Sequence, residues 1–307
     1  MKYDICVFGG CCIDQTFFQN DDGNYPDIPQ IRVPGGKGSN QAVAAARAGA
    51  KVTIITRLGN DKEGYDIKKN LEVNGVDTSN VELVDGLQND TGEIYIDKNA
   101  NNDIKRKNGA IDSFTPEMVE KYAEVLLNSK IIVAQFKMPK EVSRELINFC
   151  AANNIMLIIT PSTPSRLRVS EPGNLELINK ISIITANEDE CKTIFETDDI
   201  EGCVRKYPNK LIATLGKNGL MYSNGSEIIK LPAIRVDKVV DSTGAGDTFN
   251  GNLAAFLSEG DSLDSSIDKA RYASALKIQQ ETAQKGMPYR EDLEAFIRRV
   301  EHEPMEI

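Results

Sequence analysis

The sequence predicts a doubly wound α/β fold with a mostly parallel sheet and a small separate flap of strands. Three observations carry this. Short β-branched runs alternate with helical patterns along most of the 307 residues, the order that winds a parallel sheet. The runs lack polar alternation, as strands buried on both faces do. Two polar stretches, 15–33 and 91–107, interrupt the alternation near its start.

In chain order, strands are expected at Ile5–Gly9, Val52–Arg57, Ile131–Phe136, Ile155–Thr160, Ile181–Thr185 and Leu211–Leu215. Helices are expected at Asn40–Ala48, Thr115–Leu127, Lys140–Asn153, Thr248–Glu259 and Ser262–Gln280. Thr115-Pro-Glu is an N-cap signal with proline in the first turn. The run Ile234–Val240 also reads as β-like. The two polar stretches read as strands that leave the main sheet, with a turn from Lys98 to Asp103 in the second. The alternative is a pair of solvated loops, but the first is long for an idle connection.

Composition narrows the function. Lysine plus arginine number 36 and aspartate plus glutamate 46, a net charge of -10. Such a chain is poorly suited to non-specific nucleic-acid or anionic-membrane binding, yet backbone N–H groups can still hold an anion locally. No apolar run approaches a membrane span, and the first residues read as a strand, not a signal peptide. A cytoplasmic protein is expected. The six cysteines show no CxxC pair or zinc spacing and read as buried, reduced thiols. The single histidine, His302, leaves no His-dependent hydrolase or His-rich metal site, so a general base must be sought elsewhere.

The strongest chemical signal is Asp241-Ser-Thr-Gly-Ala-Gly-Asp247, just before an apolar helix. The N–H groups of Gly244, Ala245 and Gly246 would lie at the helix N-terminus and hold a phosphate or oxyanion. Asp247 would repel a phosphate if the site only bound anions. It makes sense as the base that takes a proton from a hydroxyl attacking phosphorus. A second segment, Pro34-Gly-Gly-Lys-Gly-Ser-Asn-Gln41, also opens a helix. It is not a P-loop, because GxxxxGK[ST] occurs nowhere in the chain. Its glycines bring backbone close to a ligand, and Asn40 offers a donor and an acceptor to a sugar hydroxyl pair. In Asn187-Glu-Asp-Glu190 the first and last residues share a helix face and suit a hydrated magnesium ion. Thr214-Leu-Gly-Lys-Asn-Gly219 is a glycine turn after a strand and is weak alone.

Together these segments resemble the ribokinase branch of the PfkB carbohydrate kinases. The resemblance rests on Gly35–Ala50 and Asp241–Gly251, with Gly59–Gly64, Thr91-Gly92, Asn187/Glu190 and Thr214/Gly216/Gly219 in the right order. It covers nearly the whole chain as one kinase domain, 1–307. It implies a three-layer αβα core with a β-sheet lid formed by about 15–34 and 91–108. It further implies ATP with Mg2+ as phosphoryl donor, Asp247 as base, and Gly244, Ala245 and Gly246 as anion hole. Asp14, Gly36, Lys37 and Asn40 would face the sugar. Thr214, Gly216 and Gly219, with Asn187, would line the nucleotide site. Glu190 would hold magnesium through water, and Asp241 would hold a monovalent cation, K+. Members often pair through the lid, so a homodimer is expected.

Some positions depart from ribokinases. Cys12 and Lys137 stand where an asparagine and a glutamate are usual, so Lys137 reverses a charge beside the sugar unless it pairs with a nearby carboxylate. Thr282 and Gly286 replace a glycine and a serine near the cation loop. D-ribose is the leading acceptor. Another pentose, a nucleoside, a sugar acid or a sugar phosphate is the alternative, and a catalytically silent relative is a third reading. A nicotinamide enzyme is disfavoured, because no GxGxxG follows the first strand.

Overall fold

A computed structural model describes residues 1–98 and 102–302. The expected turn from Lys98 to Asp103 therefore falls partly outside the described residues. The strands in chain order are β1 (Tyr3–Phe8), β2 (Cys12–Phe18), β3 (Ile31–Gly35), β4 (Val52–Gly59), β5 (Val81–Val84), β6 (Asp90–Ile96), β7 (Asn102–Lys107), β8 (Ser129–Gln135), β9 (Met156–Thr160), β10 (Ile183–Asn187), β11 (Leu211–Thr214), β12 (Leu220–Ser223) and β13 (Ile228–Leu231). The helices are α1 (Lys37–Arg47), α2 (Lys62–Val73), α3 (Glu117–Lys121), α4 (Ala123–Leu127), α5 (Lys140–Ala152), α6 (Asn174–Lys180), α7 (Glu188–Phe195), α8 (Ile200–Lys206), α9 (Ala245–Glu259), α10 (Leu263–Lys277) and α11 (Arg290–His302).

Nine strands form one sheet in the order β13-β12-β11-β10-β9-β8-β1-β4-β5. All neighbours from β11 to β5 are parallel; β12 and β13 form an antiparallel edge. Alternate residues of β1 serve opposite cores. Cys6 and Phe8 pack with side chains of α3 to α8, such as Met118, Leu146 and Val204. Ile5 and Val7 pack with α1, α2, α9 and α10, through Ala44, Ile67, Leu253 and Ala270. That is a three-layer αβα core, and it explains why the strands read as continuous apolar runs. The sheet is wound outward from β1 in both directions, so its switch point lies between β1 and β8. Open α/β sheets bind ligands there, beyond the strand C-termini.

The polar stretches are strands, not loops. β3-β2-β6-β7 make a separate four-stranded sheet, with β2 and β6 parallel and the outer pairs antiparallel. Phe17 stacks on Tyr95 at 4.9 Å across it.

Two expectations need correction. Residues 234–240 form no strand. Pro232 removes a donor, and the N–H groups of Val240 and Asp241 donate to Ile278 O at 2.8 and 3.1 Å instead of to a neighbouring strand. The helix expected over 115–127 is two short ones, interrupted at Tyr122 (φ −102, ψ 14), whose hydroxyl reaches Glu82 Oε1 at 2.7 Å.

Candidate active site

Helix α9 begins on Gly244, whose φ of 80° is the left-handed conformation that glycine adopts without strain. A side chain at Gly244 would also meet Ala283 O at 2.8 Å. A side chain at Gly246 would meet nothing within 4 Å, so the helix start is open there. Of the three N–H groups expected to form an anion hole, that of Ala245 already donates to Ser242 O at 3.1 Å. The preceding turn is closed by the Thr243 N–H on Asp241 Oδ1 at 2.8 Å.

Asp247 is buried at 6 % exposure and is nonetheless fully partnered. Asn40 Nδ2 donates to its Oδ2 at 2.9 Å and Gln41 Nε2 to its Oδ1 at 3.0 Å. These donors are possible because α1 and α9 approach closely. A Cβ at Gly251 would lie 2.6 Å from Ala44 Cβ, and alanines 42, 44 and 45 supply the small face. The two glycine signatures, about 200 residues apart, thus become one site. Asn40 Oδ1 in turn accepts from Gln284 Nε2 at 2.9 Å. Gln41 Oε1 accepts from Gln135 Nε2 at 2.7 Å, and Asn250 ties α9 to Thr160 (3.0 Å) at the end of β9 and to Thr185 (2.6 Å) within β10. Asn40, expected to face the sugar, therefore has its Oδ1 and one N–H engaged by protein.

A cleft of about 290 Å³ lies between the main sheet and the small one, and Gln135 in its wall connects through Gln41 to Asp247. Gly10 to Cys12, Gly36, Lys37, Gln135 and Lys137 line it, so it sits at the switch point. Asp14 stands beside it on β2. Its carboxylate fits only because residues 35 and 92 are glycines; a Cβ there would fall 2.1 and 2.5 Å from it. Burial pushes the Asp14 carboxyl above its ordinary pKa, and the nearby Asp247 charge adds to this, against the Cys12 thiol and Arg106. The thiol donates to Asp14 Oδ1 at 3.3 Å, so Cys12 supports Asp14. Lys137 pairs with buried Asp90 at 3.3 Å, and Asp90 also accepts from the Gly109 and Ile111 N–H groups. The reversed charge therefore meets a carboxylate. Arg106 and Arg166 complete the cationic rim, the latter clamped to the Lys137 and Met138 carbonyls at 3.1 and 2.9 Å.

At the start of α7, Asn187 and Glu190 form a capping box, with bonds of 2.8 and 2.9 Å. Burial raises the Glu190 pKa; Lys37 opposes this and Asp247 adds to it. Lys37, which lines the cleft, is thus also near Glu190. Asn187 pairs in register with Thr214 across β10 and β11. Gly216 and Gly219 follow with φ of 56° and 87°; a Cβ at Gly219 would fall 2.0 Å from Leu231 O. No group of three or more His, Cys, Asp or Glu able to hold a metal occurs among the described residues, so a magnesium ion here would depend on Glu190, water and ligand oxygens. A larger hollow, about 520 Å³, lies between residues 232–237 and α10 and α11 and contains none of these groups.

Gln41, Gln135, Gln284 and Arg166 carry the geometry yet were not singled out as site residues from sequence. Gln41 stands inside the second signature, which was the available signal. Gln135 and Gln284 are long-range partners that only the fold brings in.

Residues 2–290 match the family model described as pfkB family carbohydrate kinase. The chain is 34% identical to a ribokinase of Bacillus subtilis over 300 residues, covering 95% of this chain and 99% of that one. It is 38% identical to a ribokinase of Lactococcus lactis over 278 residues, covering 88% and 87%. The fold matches an Arabidopsis thaliana ribokinase complexed with ribose and ATP at a TM-score of 0.84 and 22% identity, over 97% and 99% of the two chains. The switch-point cleft, the two paired signatures and these matches agree: the chain belongs to the PfkB family of carbohydrate kinases.

Proposed function

We propose that this chain transfers the γ-phosphoryl group of ATP to the hydroxymethyl oxygen of D-ribose, giving D-ribose 5-phosphate and ADP. The carrying observation is Asp247, a buried carboxylate fixed by Asn40 and Gln41 at a helix N-terminus, close enough to both Asp14 and Glu190 to influence their protonation. Acceptor and nucleotide then occupy opposite sides of one base.

Asp14, Gly36 and Lys37 orient the sugar so that its hydroxymethyl group reaches Asp247. Asp247 takes the hydroxyl proton as the oxygen bonds to the γ-phosphorus. The bond from that phosphorus to the β,γ-bridging oxygen breaks, and its electron pair leaves with ADP. The start of α9, with Gly244 and Gly246, supports the transferring charge through N–H groups and the helix dipole. Lys37 adds a positive charge. Thr214, Gly216 and Gly219 line the nucleotide, where only glycine backbone fits the turn. The residues suit magnesium: Glu190 commits one oxygen to its cap, and with Asn187 it would hold the hydrated ion, which neutralises phosphate charge when bound.

Lys137, Arg106 and Arg166 support a second reading, an acceptor bearing a carboxylate or phosphate. An ADP-release screen with magnesium over pentoses, hexoses, sugar acids, sugar phosphates and nucleosides separates the two. The highest kcat/KM should fall on D-ribose; a preference for an anionic sugar replaces that acceptor, and no turnover on any of them sinks the kinase reading. Asp247→Asn should lose at least about 10²-fold in kcat while still binding nucleotide; near-normal kcat removes Asp247 as base. We also place the protein in the cytoplasm, to be checked by fractionation, and as a homodimer paired through the small sheet, whose edge strands β3 and β7 offer unpaired backbone.

A further inference from the structure

Lys277 is the last residue of α10 and is completely buried at 0 % exposure. Lysines are almost never fully buried without a partner. Its Nζ donates to Asp241 O at 2.8 Å, directly beneath the turn that leads into Gly244. Burial lowers its pKa, and the nearby Asp241 carboxylate opposes this by favouring the ammonium. The same point receives the C-terminal end of α10, where a cation is favoured by the helix dipole.

The surrounding loop is folded tightly around this lysine. Gly286 abuts the lysine's own carbonyl: a Cβ there would fall 2.4 Å from Lys277 O, so the backbone packs this closely only with glycine. Thr282 is held at a φ of 59°, unusual for a β-branched residue. Ala283, next along, packs on Gly244, where a Cβ would meet Ala283 O at 2.8 Å. Loop 281–286 therefore packs against both Lys277 and the anion-hole turn. Val240 and Asp241 are pinned to the same helix end through Ile278 O.

A monovalent cation was expected here, on Asp241 and this loop. The residues present do not fit it. The Asp241 carbonyl already holds an ammonium, and a second cation beside it would meet like charge in a water-poor site. We propose that the Lys277 ammonium is an internal substitute for an activating monovalent cation. It is a positioning residue: it holds the Asp241 carbonyl and so fixes the turn that presents Gly244, Ala245 and Gly246.

The native protein gives the first test, and the activity arm alone rests on the kinase reading. ADP release and the thermal unfolding midpoint are compared in potassium, sodium and tetramethylammonium chloride at equal ionic strength. Turnover should agree within about twofold, and the midpoint should not rise specifically with potassium. Activation by potassium of about tenfold or more, or a potassium-specific rise in midpoint, overturns the proposal. Lys277→Ala removes the ammonium and leaves space for an ion. Its kcat should fall about tenfold or more in tetramethylammonium and recover in part with potassium, a rescue that a merely structural lysine would not show. Unchanged kcat, or a loss that potassium does not rescue, overturns it. If that variant does not fold, the native comparison decides. If the protein phosphorylates no sugar, the kinase reading fails and the midpoint comparison still decides the lysine assignment.

Discussion

The Gln41 side chain joins three groups: it donates to Asp247 and Thr160 and accepts from Gln135. All four side chains are buried. In Gln41→Leu the Gln135 amide and one Asp247 oxygen lose their partners, which costs about 1–3 kcal/mol for a buried polar group. The unfolding free energy from denaturant titration should fall by that amount, and kcat should fall more than KM rises, because the displaced group is the proposed base. Asp14 invites a different test. Its pKa is raised by burial, so between the ordinary carboxylate value and the raised one the folded state binds more protons than the unfolded state. Stability then decreases as pH rises through that window and stays lower above it. Asp14→Asn should raise the thermal midpoint at neutral pH and flatten its acid dependence, while weakening acceptor binding; a lowered neutral midpoint contradicts the assignment. At this scale the sequence was partly legible. Asp247 and the glycines could be named because short segments carry them, whereas Asp14 came only through the family resemblance. Lys137 could not be settled, because its partner Asp90 lies 47 positions away on β6.

The crossing of α1 and α9 converts two separate glycine segments into one site. Gly251 and the alanine face of α1 let the helices meet at backbone distance. Gly251→Ala forces a methyl against Ala44 Cβ and Gln41 O, 2.6 and 2.7 Å from its ideal position. Overpacking of this kind costs about 1–3 kcal/mol. Activity should fall too, because the shift separates Asn40 and Gln41 from Asp247; paired unfolding and kcat measurements check both effects. The buried strands were readable from their β-branched runs, and α1, α5, α9 and α10 from their helical pattern. Others were not, including α2 and α11, which are 12 and 13 residues long and rich in charged residues. α6, α7 and α8 are seven or eight residues each, too brief for a 3.6-residue period to declare itself. The run 234–240 misled because Ile234 and Val236 are apolar for a different reason: they lean on the cluster around Phe256 and Phe296.

At the scale of the whole molecule, two sheets divide the labour. The nine-stranded sheet and its helices position Asp247, Asn187 and Glu190, and the four-stranded sheet stands over the switch-point cleft with edge strands at β3 and β7. Pairing through that sheet predicts a sedimenting mass about twice the 33.8 kDa chain. Ile28, exposed at 75 % beside β3, is a sensitive position; Ile28→Asp should shift the mass toward the monomer, and an unchanged monomer in both proteins removes the dimer. The small sheet was legible as an interruption of the α/β rhythm, but its pairing order was not, since β2 joins β6 across some seventy residues. The six cysteines have a practical consequence at this scale. All are buried and free, and burial pushes every thiol upward, Cys11, Cys150 and Cys191 to about 12. The native surface is therefore silent to maleimide dyes at neutral pH. A single cysteine placed on the exposed β7 position Asp103 would carry a fluorophore without background, and any movement of the small sheet on adding D-ribose could be followed in real time on the unmodified remainder of the chain.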